Sequence, residues 1–224
     1  MVKRLVSLIF ILIFQFSVLY GQEIITAQRH MELVSNTYSG IRDFEANVII
    51  RSGNSNMAGT ISYLAPSFVR IDFTQPAGQV IVFNSEALTI YIPEMRAVLS
   101  QPLSQTRRAS GGTSGVGLTL LRNNYVASFL ESPYPEPLEG SGERVIKLRL
   151  TRRSNAEGFR EIILSINPET RLIRRMDGRT LSDSEVRFDF TNIKINQGIP
   201  EQRFIYDTPP SSNLYHNFLF RDTD

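Results

Sequence analysis

Apolar and polar positions along this chain keep two rhythms, and the changes between them mark the elements. Residues 23–38 have helical spacing. Ile24, Gln28, Met31 and Tyr38 combine with Ile25, Leu33 and Val34 into one broad apolar face, and Ser39-Gly40 ends the run. From residue 44 the period drops to two. Phe44, Ala46, Val48 and Ile50 point one way while Glu45, Asn47 and Arg51 point the other, as in a half-buried strand. The turn Gly53-Asn54-Ser55-Asn56 leads to a second strand over 57–64, which Ala65-Pro66-Ser67 ends. The third strand, 68–73, alternates Val69, Ile71 and Phe73 against Arg70 and Asp72. Gln75-Pro76-Ala77-Gly78 turns the chain again, and strands at 79–83, 87–92 and 96–103 follow across turns at Asn84-Ser85 and Pro93-Glu94. Links this short make neighbours antiparallel, because a parallel pair needs a long crossover.

The middle changes character. Residues 105–117 are polar and glycine-rich, 118–130 return to helical spacing through Leu118, Leu121, Tyr125 and Phe129, and 132–142 hold three prolines and two glycines, a long loop. Strands resume at 144–152, 159–166, 172–177 and 184–196, with Asn167-Pro168-Glu169-Thr170 as a turn between two of them. A last strand at 202–206 precedes Pro209-Pro210 and an apolar tail of Leu214, Tyr215, Phe218, Leu219 and Phe220. That tail reads either as an added strand or as a segment plugging a cavity mouth. The pattern predicts an α+β chain: a strongly curved antiparallel sheet of about 11 strands, forming an incomplete β-barrel, with helices over its concave, open side. Residues 22–224 read as a single domain.

The first 21 residues read as a secretion signal. Lys3 and Arg4 form a positive start, 5–14 are apolar apart from Ser7, and Gln15 and Ser17 weaken the run before Gly21, the expected cleavage point. The other reading is an uncleaved anchor, since 5–20 approaches the lower length of a membrane span. Of 24 basic residues, removal of Lys3 and Arg4 leaves 22 against 22 acidic ones. A neutral mature chain has no electrostatic drive toward nucleic acid. The absence of cysteine excludes disulfides and a lipid-modified N-terminal cysteine, and two histidines make a histidine-rich metal site improbable.

Short motifs then add a resemblance. Phe68, Arg70, Thr74-Gln75-Pro76, Ile81-Val82 and Tyr91 resemble the first sheet of the periplasmic lipoprotein carrier family, LolA. A long strand with Phe188, Phe190 and Ile193, then Ile199-Pro200, Phe204, Tyr206 and Pro209, resembles its late segment. The resemblance implies an incomplete barrel whose apolar space takes acyl chains of lipoproteins or lipids. It implies a periplasmic monomer with no cofactor, loaded by a membrane-bound release complex and emptied at an outer-membrane acceptor. Two positions depart from the family. Ala65 stands where an arginine ties the lid shut in proteobacterial carriers, and Asn84-Ser85 replaces an Asp-Gly turn. Arg70 lies on the opposite parity from Val69 and Ile71, which argues against its taking over the lock.

On this reading the cavity is lined by Phe44, Val48, Ile50, Ile61, Tyr63, Val69, Ile71, Phe73, Leu88 and Ile90 from the sheet, and by Leu118, Leu121 and Phe129 from the second helix. Filled core and ligand cavity share one pattern, so alternation alone leaves both open. Enzymatic chemistry finds no support. Residues 111–117 lack the Gly-Lys-Ser/Thr ending of a phosphate loop, Val116 breaks G-x-S-x-G at Ser114, and His30 and His216 have no triad partners in sequence. The chain reads as a carrier, with a periplasmic sensor or adaptor of the same fold as the alternative and an exported hydrolase third. The dibasic pairs Arg107-Arg108, Arg152-Arg153 and Arg174-Arg175 read as solvated faces.

Overall fold

The computed structural model describes residues 25–84, 86–102, 118, 121–154 and 158–218; the stretch read as a secretion signal and the glycine-rich stretch lie outside them. Helix α1 spans Ala27–Ser39. Thr26 caps it by accepting from the Arg29 N–H at 3.1 Å, and the Gly40 N–H closes the last turn onto the Thr37 and Tyr38 carbonyls. The helix thus begins later than its apolar spacing implies, because Thr26 offers the capping oxygen.

An antiparallel meander follows: β1 (Asp43–Ser52), β2 (Ser55–Leu64), β3 (Phe68–Gln75), β4 (Val80–Asn84), β5 (Ala87–Ile92) and β6 (Ala97–Pro102). The second half holds β7 (Tyr125–Phe129), β8 (Glu136–Pro137), β9 (Arg144–Arg152), β10 (Phe159–Ile166), β11 (Ile173–Thr180), β12 (Glu185–Ile195) and β13 (Asn213–His216). These 13 strands form a sheet in the order β13-β6-β5-β4-β3-β2-β1-β12-β11-β10-β9-β7, with β8 on β9. Every pair is antiparallel except β13 on β6. The path starts at β13 and ends at β7, so the sheet is open and does not close into a barrel.

The structure corrects the pattern reading in two places. The helix expected over 118–130 is helical at Leu118 and 121–124 and then becomes β7, which puts Phe129 on a strand. Tyr125 and Phe129 fit both periods, and the ladder to β9 decides between them. The strand expected at 202–206 is a 3-10 turn, Glu201–Phe204, that buries Phe204 completely against Phe68, ring centroids 5.6 Å apart. Of the two readings of the apolar tail, the added strand is the one found over its described residues, as β13, all four residues of which are exposed.

Strand register sorts the side chains into two faces. One row runs Phe129, Leu148, Leu164, Met176, Phe188, Ile50 and Met57 through successive paired positions. A second runs Ala46, Ile61, Ile71, Ile81, Ile90 and Leu99. Both lie on the same, apolar face. Met31 and Val34 of α1 are fully buried there with Leu148, Leu164 and Ile166, so the helix roofs the β7, β9 and β10 end. The opposite face of the meander carries the C-terminal turn instead. Arg70 donates to the Arg203 carbonyl at 3.1 Å, and Asp72 accepts from Arg203 at 2.6 Å. Arg70 therefore fastens the 3-10 turn on the side away from α1.

The meander bends where β2 and β3 shift register at Gly59. A methyl group there would lie 2.3 Å from the Asp72 carbonyl oxygen and 2.9 Å from the Phe73 Cα. Gly59→Ala is expected to destabilise the fold by about 1–3 kcal/mol, as overpacking against rigid backbone does, read as a lower denaturant midpoint. An unchanged midpoint would mean that the two strands separate freely at this point.

Candidate functional site

Where α1 ends, roof and sheet part. Between them lies a cavity of about 270 Å³ whose walls are almost entirely hydrocarbon. Tyr38 and Ile41 close it at the helix end, Leu118 and Leu121 form its upper side, and Phe44, Ala46, Leu164, Met176, Phe190 and Ile193 are its floor. Leu172 and Ile173 complete the rim. The volume is just below the ~300 Å³ at which small-molecule sites usually begin. Tyr38 brings one polar atom to the wall, and its hydroxyl is occupied, accepting from the Ile173 N–H at 2.9 Å. Burial pushes that hydroxyl up to about 12, against smaller opposing effects of the Ile173 hydrogen bond and Arg174, so it stays neutral.

The apolar face continues beyond the cavity. Phe190 belongs both to the cavity floor and to a cluster in which Val48, Ile50 and Phe73 are buried and Met57, Ile61, Ile71 and Ile81 are packed but half exposed. Farther out, Val69, Leu88 and Ile90 remain half exposed on the same face. The result is a greasy surface that starts under a roof and ends without one among the described residues.

Of the candidates read from sequence, Phe44, Leu118 and Leu121 line the cavity itself. Val48, Ile50, Phe73, Ile61 and Ile71 form the adjoining cluster. Tyr63 is buried, stacks on Phe44 at 5.3 Å and donates its hydroxyl to the Pro66 carbonyl at 3.2 Å. Val69, Leu88 and Ile90 share the open part of the face. Phe129 is apart, packed against His30 of α1 with ring centroids 6.4 Å apart. Tyr38, Ala46, Phe190 and Ile193 were each visible as apolar positions but not as lining, and Leu172 and Ile173 had no signal beyond being apolar. Their convergence depends on β12 pairing with β1, which local periodicity does not encode.

Among the described residues no group of His, Cys, Asp or Glu could hold a metal ion, and no helix is long and apolar enough to cross a membrane.

His30 is the buried histidine of the α1 underside. It is 7% exposed, and its Nε2 has no hydrogen-bond partner among the described residues. Burial, and secondarily the Arg171 cation, hold its pKa below the ordinary 6.5. The unfolded chain therefore binds the proton more readily. The stability from burying neutral His30 is complete above pH 6.5 and is lost as pH falls from there toward the lowered folded value. His30→Leu is expected to flatten the loss of denaturant midpoint below pH 6.5 relative to the parent chain. Parallel pH profiles of the two would contradict this origin.

Comparison with known proteins places this geometry in context. The family model for the outer membrane lipoprotein carrier protein LolA matches residues 50–207. An outer-membrane lipoprotein carrier protein of Dechloromonas aromatica is 24% identical over 182 residues, covering 80% of this chain and 82% of its own. An uncharacterised conserved protein of Thermus thermophilus superposes with a TM-score of 0.55 at 13% identity, over 85% of this chain and 98% of its own. MucB, in the Pseudomonas aeruginosa MucA/MucB complex, gives 0.51 at 14% identity, over 81% of this chain and 61% of its own. The two structures share the fold at this level of identity.

Proposed function

This chain belongs to the LolA family of outer membrane lipoprotein carrier proteins, and from that premise we propose that it is a periplasmic carrier that binds acyl chains of lipoproteins or lipids and moves them toward the outer membrane. It is exported by a signal cleaved near Gly21, folds over residues 22–224 as one domain, and works as a monomer by binding and without catalysis. A membrane-bound complex loads it and an outer-membrane acceptor unloads it.

The observation that carries the reading is the continuity of the apolar face. A saturated acyl chain left in water costs roughly 0.8 kcal/mol per methylene, on the order of 10 kcal/mol for a long chain. Passage through an aqueous compartment therefore needs a surface that covers most of its length. The roofed cavity takes one end of the chain. The remainder lies along the Ile61, Ile71, Ile81 and Ile90 row, whose partial exposure leaves it accessible from solvent. Because α1 meets the sheet through side chains only, it lifts without breaking a strand ladder. Exchange of cargo is then a matter of moving a small lid.

A sensor or adaptor of the same fold would bind a protein partner on the same face. Lipid extraction from the exported protein separates the two. Mass spectrometry is expected to find acyl chains or acylated peptide, whereas a protein that is always empty and retains a membrane regulator supports the adaptor. Binding of a fluorescent fatty acid is expected to weaken at least tenfold in Ile90→Glu and in Leu121→Glu, since each places a carboxylate against hydrocarbon. Unchanged affinity in folded variants of both would overturn the acyl-binding assignment.

A further inference from the structure

The sheet has a second concavity on its other side. A hollow of about 610 Å³ lies on the face away from α1, over β9 to β12, and is polar where the first is greasy. Paired positions again give its floor in rows. In the outer row Glu185 faces Arg179 and Arg179 faces Glu161, so charge alternates from strand to strand. In the next row Arg187 faces Asp177, bonded through Nε at 2.5 Å. In the inner row Asp189 faces Arg175, also bonded at 2.5 Å, but Arg175 then faces Ser165, and Ser165 faces Lys147.

The row of Arg187 and Asp177 continues through Ile163 to Arg149, so its β10 position is apolar. In the inner row the β10 position, which in the outer row is the carboxylate Glu161, is a serine between two cations. Ser165 is 1% exposed, lines the hollow, and its Oγ has no hydrogen-bond partner among the described residues. A buried hydroxyl without a partner carries an uncompensated desolvation cost. Of the flanking cations, Arg175 also donates to the Glu139 carbonyl at 3.1 Å. Asp189 is shared between Arg175 and Arg51, and among the described residues Lys147 pairs only with Glu136 of β8, at 2.9 Å. Cross-strand neighbours stand about 5 Å apart at Cβ, so one oxyanion above Ser165 reaches both.

We propose that Ser165, Lys147 and Arg175 form a site for a single oxyanion, a phosphate or carboxylate group, on the face opposite the acyl cavity. The Ser165 hydroxyl donates to it, Lys147 and Arg175 supply charge-assisted hydrogen bonds, and the missing charge of the row is restored. Entry requires the flexible Lys147 stem to swing aside, a change of rotamer only. Of the other lining cations, Arg179 pairs with Glu185, Arg187 with Asp177 and Arg51 with Asp189, while Glu139 and Glu161 add further negative charge, so the hollow admits one anionic group and repels a polyanion.

The test is titration of the full exported chain with inorganic phosphate, sn-glycerol 3-phosphate and acetate, followed by amide NMR at constant ionic strength. Saturable shifts centred on Ser165, Lys147 and Arg175 are expected, absent with chloride. Tighter binding of glycerol phosphate would assign the anion to a lipid headgroup, and equal binding to the free ion. Lys147→Gln is expected to weaken phosphate at least tenfold while leaving fatty-acid binding unchanged, which keeps this site distinct from the acyl reading. Ser165→Asp supplies the carboxylate internally and is expected to abolish the phosphate response; should it fail to fold, Lys147→Gln decides. Shifts that do not saturate, or that persist undiminished in Lys147→Gln, overturn the proposal.

Discussion

A sheet with one wholly apolar face must cover that face, and this chain does not carry enough helix to do so among its described residues. At ~4.8 Å between strands, the path from β13 to β7 is roughly 50 Å wide. Helix α1, of 13 residues, is about 20 Å long at 1.5 Å per residue. It seals the β7, β9 and β10 end, where Leu148, Leu164 and Ile166 are inaccessible. Past its last turn the roof thins at Tyr38 and Leu121, and then the isoleucine row is left half exposed. Cavity and open surface are two stages of one shortfall.

The two faces divide the work of stability and binding. On the apolar face, burial is complete only under α1. On the other, the meander is tied by the Arg70, Asp72 and Arg203 group around Phe204, and the second half by ion pairs set at cross-strand positions. These partly exposed pairs contribute little individually. Their consequence is positional: long side chains with fixed partners keep one face polar and hydrated while the other stays apolar.

Much of this was legible in the order of residues. Strict alternation assigned Phe44, Val48, Ile50, Ile61, Ile71 and Ile90 to one side, and the ladders place all of them there. Arg70 was read to the opposite side, where it now holds the C-terminal turn. Failures came where alternation carries no information. Residues 125–129 are spaced for helix and strand alike, and 202–206 alternate because Phe204 and Tyr206 pack on one sheet face, not because they are paired. The lining from Phe190 and Ile193 needed the β1–β12 register, which joins segments far apart in sequence. Ser165 was invisible for the same reason, since a serine inside a strand acquires meaning only from Arg175 and Lys147 beside it.

The origin of the two strands that flank the meander has a further consequence. β1 is closed by β12 and β6 by β13, and both come from the last forty or so residues. β1 to β6 are linked by local turns, yet both outer ladders of the meander need β12 and β13, which come much later in the chain. An apolar face flanked by two bare edges is the form in which sheets associate with each other. The meander is thus most adhesive before β12 and β13 dock on its two edges.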